Sequence, residues 1–136
     1  MTDQHKPATA APMQEESPFK GSTGLRRLLN ATGYSLSGLR SAWRHEDAFR
    51  QEVMLAVLTV PLALFIGPTG TGKALMVFSV LLVMVVELLN SAIEAAVDRI
   101  SLENHRLAKR AKDIGSAAVM ISLVNAAFVW VLVLAF

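Results

Sequence analysis

The stretch that decides the fold is ALMVFSVLLVMVVELLNSAIEAAV, residues 74–97. Only two charged residues, Glu87 and Glu94, interrupt this run of apolar and small residues. A helix of about 20 apolar residues crosses the hydrocarbon core of a bilayer, which is about 30 Å thick. Residues 114–136 form a second run, with no charged residue at all. Both runs therefore predict membrane-spanning helices.

A third candidate span, at residues 52–67, is shorter. Its apolar part, residues 53–66, would extend only about 21 Å as a helix, and runs of that length are more common in soluble cores. The composition favours the membrane, because the chain is 53% hydrophobic and only 18% charged, whereas soluble domains are about 25% charged. We therefore expect an all-α integral membrane protein with spans at about residues 52–67, 74–97 and 114–136.

Basic residues predict the side of the membrane on which each loop lies. Residues 20–50 hold six of the 13 Lys and Arg residues and residues 98–113 hold five, whereas the loop between the first two spans holds only Lys73. Cytoplasmic loops carry an excess of Lys and Arg. We therefore expect the N-terminus and the second loop in the cytoplasm, and the first loop and the C-terminus outside.

The N-terminal part of the chain divides into a tail and a helical region. Residues 1–22 mix Pro, Ala, Ser, Gln and charges without periodicity, which predicts a disordered tail before a membrane domain at residues 23–136. Residues 24–51 have helical character. We expect this helix to be broken at Gly33 and resumed with Ser35 as its N-cap.

This helical region is amphipathic. At about 100° per residue, Leu39, Ala42 and Trp43 fall on one side, and basic and hydroxyl residues fall on the other. We expect the helix to lie in the cytoplasmic interface, anchored by Trp43 and Tyr34. Glu46 falls inside the apolar stripe. An acid on a buried face needs a partner, a metal ion or a proton.

One face of the second span carries polar residues at helical spacing, namely Glu87, Asn90, Ser91, Glu94 and Asp98. An ionisable residue at membrane depth is costly and indicates a functional site. Glu87, about 10 Å below the cytoplasmic edge, suits a general base. Glu94 near that edge could bind a hard cation, with Glu46 as a second carboxylate. Asn90 could orient either acid or a substrate hydroxyl. The alternative is a polar network that fixes the packing of an oligomer.

The segment at residues 98–113 offers a second set of candidates. Its basic residues could neutralise phosphate oxygens, as Lys and Arg do in phosphoryl transfer. Lys112 beside Asp113 combines a phosphate contact with a metal or ribose contact. The alternative is that these charges only set the topology and attract anionic lipid.

Three other kinds of site are not expected. Residues 67–73 match the G-x-x-x-x-G-K pattern of a phosphate-binding loop. However, Ala74 stands where that loop needs a hydroxyl, and the segment joins two predicted spans, so we expect a tight turn. The absence of cysteine excludes disulfides and thiol catalysis. The basic residues lack interleaved aromatic residues, so no nucleic-acid partner is expected.

The motifs also indicate a family. ELLNSAIEAAVDR at residues 87–99 and AKDIGSAAV at residues 111–119 closely resemble the signature of the prokaryotic diacylglycerol kinases. ATGYS at residues 31–35 and E-x-A-F-R-Q-E at residues 46–52 match the N-terminal part of that family. The resemblance covers roughly residues 25–136 and is poorest in the first loop.

The resemblance implies a small homotrimeric kinase of the bacterial cytoplasmic membrane, with active sites shared between protomers at the cytoplasmic interface. Such a kinase transfers the γ-phosphoryl group of ATP to diacylglycerol and forms phosphatidic acid. Three alternatives stay open. They are an undecaprenol kinase of the same family, a small proton-coupled transporter that uses Glu87, and a membrane scaffold without turnover.

The resemblance also implies roles for individual residues. Glu87 and Asn90 would be catalytic, with Glu87 as the general base. Glu46 and Glu94 would bind Mg²⁺. The nucleotide would contact these two acids and Arg27, Tyr34, Glu103, His105, Lys112 and Asp113. The lipid substrate would lie close to Arg27, Ser35, Arg40, Trp43, Glu87 and Ser116.

Overall fold

The computed structural model describes residues 24–100 and 106–136. These residues form four helices and no strand: α1 (Leu25–His45), α2 (Asp47–Ile66), α3 (Gly70–Ile100) and α4 (Arg106–Ala135). The all-α prediction is therefore confirmed for this part of the chain. The predicted tail at residues 1–22, together with Glu103 and His105, lies outside the described residues. The chain divides into two units, residues 1–35 and 36–136.

Three of the four helices, α2, α3 and α4, are long and apolar enough to cross a membrane, which confirms the three predicted spans by length and composition. With 31 and 30 residues, α3 and α4 are longer than the apolar runs alone. The reason is that hydropathy marks only the apolar part of a helix, whereas the backbone continues into the flanking charged segments. Large apolar side chains such as Leu58 (71% exposed) and Phe65 (87% exposed) cover the outside of α2. Exposed apolar surface of this kind suits contact with lipid.

The N-terminal unit contains the first half of α1. The helix follows Gly24, which has a φ of +68°, and runs through Gly33 without interruption. The prediction of a break at Gly33 with Ser35 as N-cap was therefore wrong. A glycine inside a helix costs only about 1 kcal/mol, whereas a break leaves several amides and carbonyls without partners. The Ser35 hydroxyl donates instead to the carbonyl of Ala31, at 2.9 Å.

The junction between α1 and α2 lies at Glu46, five residues before the predicted end of the first helix at residue 51. Glu46 has extended backbone (φ −110°, ψ 109°), so its predicted place on the apolar stripe of a helix was wrong. The Arg50 guanidinium donates to the carbonyl oxygens of Trp43 and Arg44, at 3.1 and 3.5 Å. It also pairs with Asp47. Arg50 therefore satisfies carbonyls that the end of α1 leaves open.

The packing of the transmembrane unit centres on α3, which contacts both α2 and α4. Small and medium-sized side chains are buried at these contacts, among them Ala56, Ala63, Met76 and Val83. The indole of Trp130 on α4 donates to the Met76 carbonyl on α3, at 3.3 Å. These contacts fix the position of α4 beside α3. The polar residues predicted on one face of the second span, here called the polar stripe, belong to α3 and are Glu87, Asn90, Ser91, Glu94 and Asp98.

The turn between α2 and α3 is the segment that matches a phosphate-binding loop in sequence. It joins two helices, and the Thr69 hydroxyl accepts a hydrogen bond from the Gly72 amide at 3.0 Å. That bond caps the start of α3. A β-carbon on Gly72 would come within 2.8 Å of the Val133 side chain. The glycine here serves a close approach of α3 and α4. The expected tight turn is confirmed for residues 67–69, whereas residues 70–73 form the first turn of α3.

Candidate active site

The polar face of α3 changes from buried to exposed along the helix. Glu87 is 4% exposed and Asn90 is 9% exposed. Glu94 is half-buried and Asp98 is exposed. The seven residues from Glu87 to Glu94 correspond to about 10.5 Å along the helix axis. The stripe therefore presents polar groups at two depths, as its spacing predicted.

A cavity of about 330 Å³ opens beside this stripe. Its lining comes from the α1–α2 junction, α2, α3 and α4, and consists of Glu46, Ala48, Glu87, Asn90, Glu94, Ser116 and Val119. Five of the residues that the resemblance singled out are thus brought together here. They come from segments up to 70 positions apart in the sequence.

The cavity holds acids that influence one another. Glu46 and Glu94 both act electrostatically on Glu87. Glu46 lines the cavity, and its side chain makes no capping hydrogen bond to α2. Three carboxylates in one partly buried cavity repel one another unless a proton or a cation lies between them. The arrangement is therefore suited to proton transfer and to cation binding.

Asn90 links the two depths of the site. Its Nδ2 donates to Oε1 of Glu94 at 3.0 Å, which holds the carboxylate and the carboxamide in a fixed relation. Its Oδ1 is buried and has no hydrogen-bond partner among the described residues. Such an unpaired acceptor costs about 1–3 kcal/mol, so it needs an explanation. Gly115 of α4 encloses this oxygen, since a β-carbon on that glycine would overlap Oδ1.

The carboxylates that line the cavity determine which kind of metal site is possible there. Within residues 24–100 and 106–136, no group of three or more His, Asp or Glu side chains is placed to hold a metal ion. This excludes a closed cage made of those residues. Mg²⁺, however, is usually bound by one or two carboxylates, with substrate phosphates and water completing the shell. Glu46 and Glu94 fit that pattern.

Lys112 and Asp113 lie near the start of α4 and do not line the cavity. Lys112 instead forms an ion pair with Asp98 of α3, with 2.6 Å between Nζ and Oδ1. The sequence did not predict this pair, which fixes the Lys112 ammonium close to the end of the polar stripe.

The remaining predicted residues lie elsewhere. Arg27, Tyr34 and Ser35 belong to the N-terminal unit and are exposed there. Arg40 lines a separate pocket on α1, and Trp43 is 46% exposed and lines no part of the acidic cavity.

Sequence reasoning missed Glu52. This half-buried acid on α2 lines an apolar cavity that Val83 of α3 and Trp130 of α4 also line. Its Oε2 is buried and has no hydrogen-bond partner among the described residues, and the charge of Glu87 acts on it. The sequence signal for this residue is a single acid directly before the apolar residues 53–66. Because the interfacial helix was expected to end at residue 51, Glu52 fell at the predicted start of the span, where an acid indicates no site.

Comparison with known proteins identifies the family. The sequence model described as prokaryotic diacylglycerol kinase matches residues 33–134. A diacylglycerol kinase of Pseudomonas aeruginosa is 54% identical over 118 residues, which are 87% of this chain and 96% of that protein. One from Haemophilus influenzae is 55% identical over 108 residues (79% and 92% of the two chains). One from Escherichia coli is 50% identical over 112 residues (82% and 92%). The chain therefore belongs to the prokaryotic diacylglycerol kinase family.

Proposed function

We propose that the protein transfers the γ-phosphoryl group of ATP to the hydroxyl of diacylglycerol, which yields phosphatidic acid and ADP. The observation that carries the proposal is the cavity in which Glu46, Glu87, Asn90 and Glu94 meet beside a membrane-spanning helix. The names of the relatives support the acceptor, because the three compared proteins are each called diacylglycerol kinase.

The two depths of the acids suit two reactants that meet at a membrane surface. A diacylglycerol hydroxyl lies just below the headgroups, while ATP stays in water. Glu87 lies about 10.5 Å from Glu94 along the helix axis, so one acid can serve the lipid and the other the nucleotide. Positioning of both reactants supplies much of the catalysis in phosphoryl transfer. A network that only packed helices would not need acids at two depths.

The chemistry assigns one proton transfer to the chain. The lipid hydroxyl oxygen bonds to the γ-phosphorus as the bond from that phosphorus to the bridging oxygen of ADP breaks. Glu87 accepts the hydroxyl proton as general base. Asn90, fixed by its hydrogen bond to Glu94, lines the cavity together with Glu87 and would orient the hydroxyl through its carboxamide. Burial of Glu87 keeps water from competing for the phosphoryl group.

Glu46 and Glu94 would hold Mg²⁺, which supplies charge neutralisation at the phosphates when bound. Lys112 would contact a phosphate, and its ion pair with Asp98 keeps the ammonium in place. The other proposed nucleotide contacts are Arg27, Tyr34, Glu103, His105 and Asp113. The proposed lipid contacts besides Glu87 are Arg27, Ser35, Arg40, Trp43 and Ser116.

The proposal includes an orientation and an assembly. The N-terminus faces the cytoplasm and the C-terminus lies outside, because the basic residues cluster before the first span and between the second and third. The protein is a homotrimer of the bacterial inner membrane with active sites shared between protomers. In this arrangement α1 lies in the cytoplasmic interface with its apolar side toward lipid.

An acceptor assay tests the proposal. Purified protein in mixed micelles is given Mg-ATP and either diacylglycerol or undecaprenol, and the phosphorylated lipid is quantified. We expect phosphatidic acid to form at a rate far above that of undecaprenyl phosphate. Phosphorylation of undecaprenol alone would identify the other branch of the family. No ATP consumption with either lipid would favour a transporter or a scaffold.

The metal assignment predicts a change in magnesium dependence. In Glu46→Gln and Glu94→Gln the Mg²⁺ concentration for half-maximal activity should rise at least about tenfold, since even outer-shell substitutions cost that much in metal affinity. Glu15→Gln is the control, because it makes the same substitution at a residue to which no role is assigned. Unchanged magnesium titrations in both cavity variants would reject the assignment.

A further inference from the structure

A second polar pocket lies on α1, apart from the acidic cavity. It is lined by Ser37, Arg40, Ser41, Arg44 and His45, all within the transmembrane unit of residues 36–136. Their spacing places them on one face of the helix over two turns. The pocket therefore presents two guanidinium groups and two hydroxyls, and no carboxylate lines it.

The two arginines have no acidic partner in the part of the chain that the structure describes. Neither Arg40 nor Arg44 forms an ion pair there. The nearest acids in the sequence are engaged elsewhere, since Asp47 pairs with Arg50 and Glu46 lines the acidic cavity. Like charges four residues apart on a helix repel each other. A bound anion would remove that repulsion.

The other lining residues support an anion with several oxygens. His45 Nδ1 lies 3.0 Å from the Ser41 carbonyl oxygen and 3.5 Å from its hydroxyl, so the ring is held against the helix. The hydroxyls of Ser37 and Ser41 and the two guanidinium groups then remain as donors. Arginine guanidinium groups match the geometry of phosphate oxygens, because they donate two parallel hydrogen bonds.

The surroundings of the pocket indicate where the phosphate comes from. The same part of α1 exposes large apolar side chains, with Leu36 61%, Leu39 44% and Trp43 46% exposed. An exposed apolar surface beside a basic pocket is what a lipid with a charged headgroup contacts. We propose that this pocket binds the phosphate group of an anionic phospholipid at the cytoplasmic headgroup layer. The pocket shares Arg40 with the proposed contacts of the lipid substrate, but none of its other lining residues has a role in the proposed phosphoryl transfer, and none of its residues lines the acidic cavity.

Trp43 provides a local reporter for this binding. The chain has two tryptophans, so Trp130→Phe leaves Trp43, next to Arg44, as the only one. This variant is reconstituted in phosphatidylcholine vesicles that contain a small fraction of brominated phosphatidylglycerol or brominated phosphatidylcholine. Bromine quenches only tryptophans that it contacts. We expect the anionic lipid to be preferred about tenfold at Trp43, which is the effect of one charge-assisted hydrogen bond.

Substitutions separate the pocket from general charge attraction. Arg44→Gln should abolish the preference, whereas Arg26→Gln, which removes one charge from α1 outside the pocket, should retain it. Equal losses in the two variants, or equal quenching by both lipids in the parent, would overturn the proposal. Relief of the quenching by excess inorganic phosphate would keep the phosphate chemistry but reject the lipid as its source.

A second measurement does not depend on Trp130→Phe, which loses the hydrogen bond to Met76. The chain with both tryptophans is extracted from vesicles containing phosphatidylglycerol and phosphatidylcholine, and native mass spectrometry counts the retained lipids. We expect retained phosphatidylglycerol in the parent and in Arg26→Gln, and about tenfold less in Arg44→Gln. Equal retention in all three would contradict the proposal.

Discussion

Glu87→Gln is expected to lower kcat for phosphatidic acid formation by about two to four orders of magnitude, with ATP binding retained. The glutamine amide has nearly the same shape as the carboxylate but cannot accept the proton of the lipid hydroxyl. Glu87 is 4% exposed, so water cannot readily replace it as the base. The loss should therefore appear in turnover rather than in binding.

This variant should also remain folded, which makes the result easy to interpret. Glu87 lies among acids that act on one another, with Glu46 and Glu94 near it and Glu52 on its α2 side. Removal of one negative charge from such a cluster reduces the repulsion in the folded state. A fall in activity therefore cannot be attributed to lost stability if the free energy of unfolding is unchanged or higher.

Three measurements check the prediction: initial rates of phosphatidic acid formation at saturating Mg-ATP, equilibrium binding of ATP, and unfolding in detergent. Glu15→Gln controls for the substitution itself, because it makes the same change at a residue to which no role is assigned. Glu87→Asp should keep part of the activity, because it retains a carboxylate at a shorter reach. Turnover in Glu87→Gln close to that of the parent would show that another group takes the proton.

The sequence was sufficient for the features that depend on periodicity. Long apolar runs, together with the composition of the chain, predicted the three spans. The helical repeat predicted that Glu87, Asn90 and Glu94 would share one face, and the hydrogen bond between Asn90 and Glu94 bears out that spacing. Both features are local, because a helix of about 3.6 residues per turn determines which side chains are neighbours.

The sequence was insufficient where one side chain changes the path of the chain. The extended conformation at Glu46 accompanies hydrogen bonds from Arg50 to carbonyls six and seven residues earlier. Helical periodicity cannot predict that contact, because it joins a side chain of α2 to backbone carbonyls of α1. The spacing of about 100° per residue placed Glu46 on a helix face, whereas Glu46 lines the cavity from the break between α1 and α2. The sequence and the structure thus both bring Glu46 toward the protein interior. The sequence did so by placing it on the apolar face of a helix, whereas the structure does so with an extended residue between two helices.

Contacts between helices were the second kind of feature that could not be predicted. The Lys112–Asp98 pair joins α3 to α4, and Glu52 on α2 lines the apolar cavity with Val83 of α3. Each depends on which faces of two helices meet. Hydropathy does not specify those faces in a membrane, because lipid and neighbouring helices are equally apolar.

Gly115 is the residue for which such a contact has the largest consequence, and Gly115→Ala tests it. Gly115 on α4 is buried, and a β-carbon there would overlap Oδ1 of Asn90. Overpacking of this kind costs about 1–3 kcal/mol of unfolding free energy. If the clash moves Asn90 by about 1 Å, kcat should fall by up to about 100-fold, since Asn90 is fixed to Glu94 and is proposed to orient the lipid hydroxyl.

The matched control is Gly38→Ala, a helical glycine whose β-carbon would meet no other atom within 4 Å. That substitution should leave the free energy of unfolding unchanged or raise it by up to about 1 kcal/mol, because alanine favours helix. Both variants are measured by unfolding in detergent and by kcat. Gly115→Ala with the stability and turnover of the parent would show that α4 does not hold Asn90 in position.

A double variant separates the effect on packing from the effect on catalysis. Asn90→Ala removes the carboxamide that the new β-carbon would overlap, so adding it to Gly115→Ala should recover stability. Turnover should stay low, because the group that orients the hydroxyl is gone. Both effects are then less than additive in a double-mutant cycle, but only the stability returns toward that of the parent. If turnover recovered together with stability, Asn90 would be a packing residue, and the polar face of α3 would act through its acids alone.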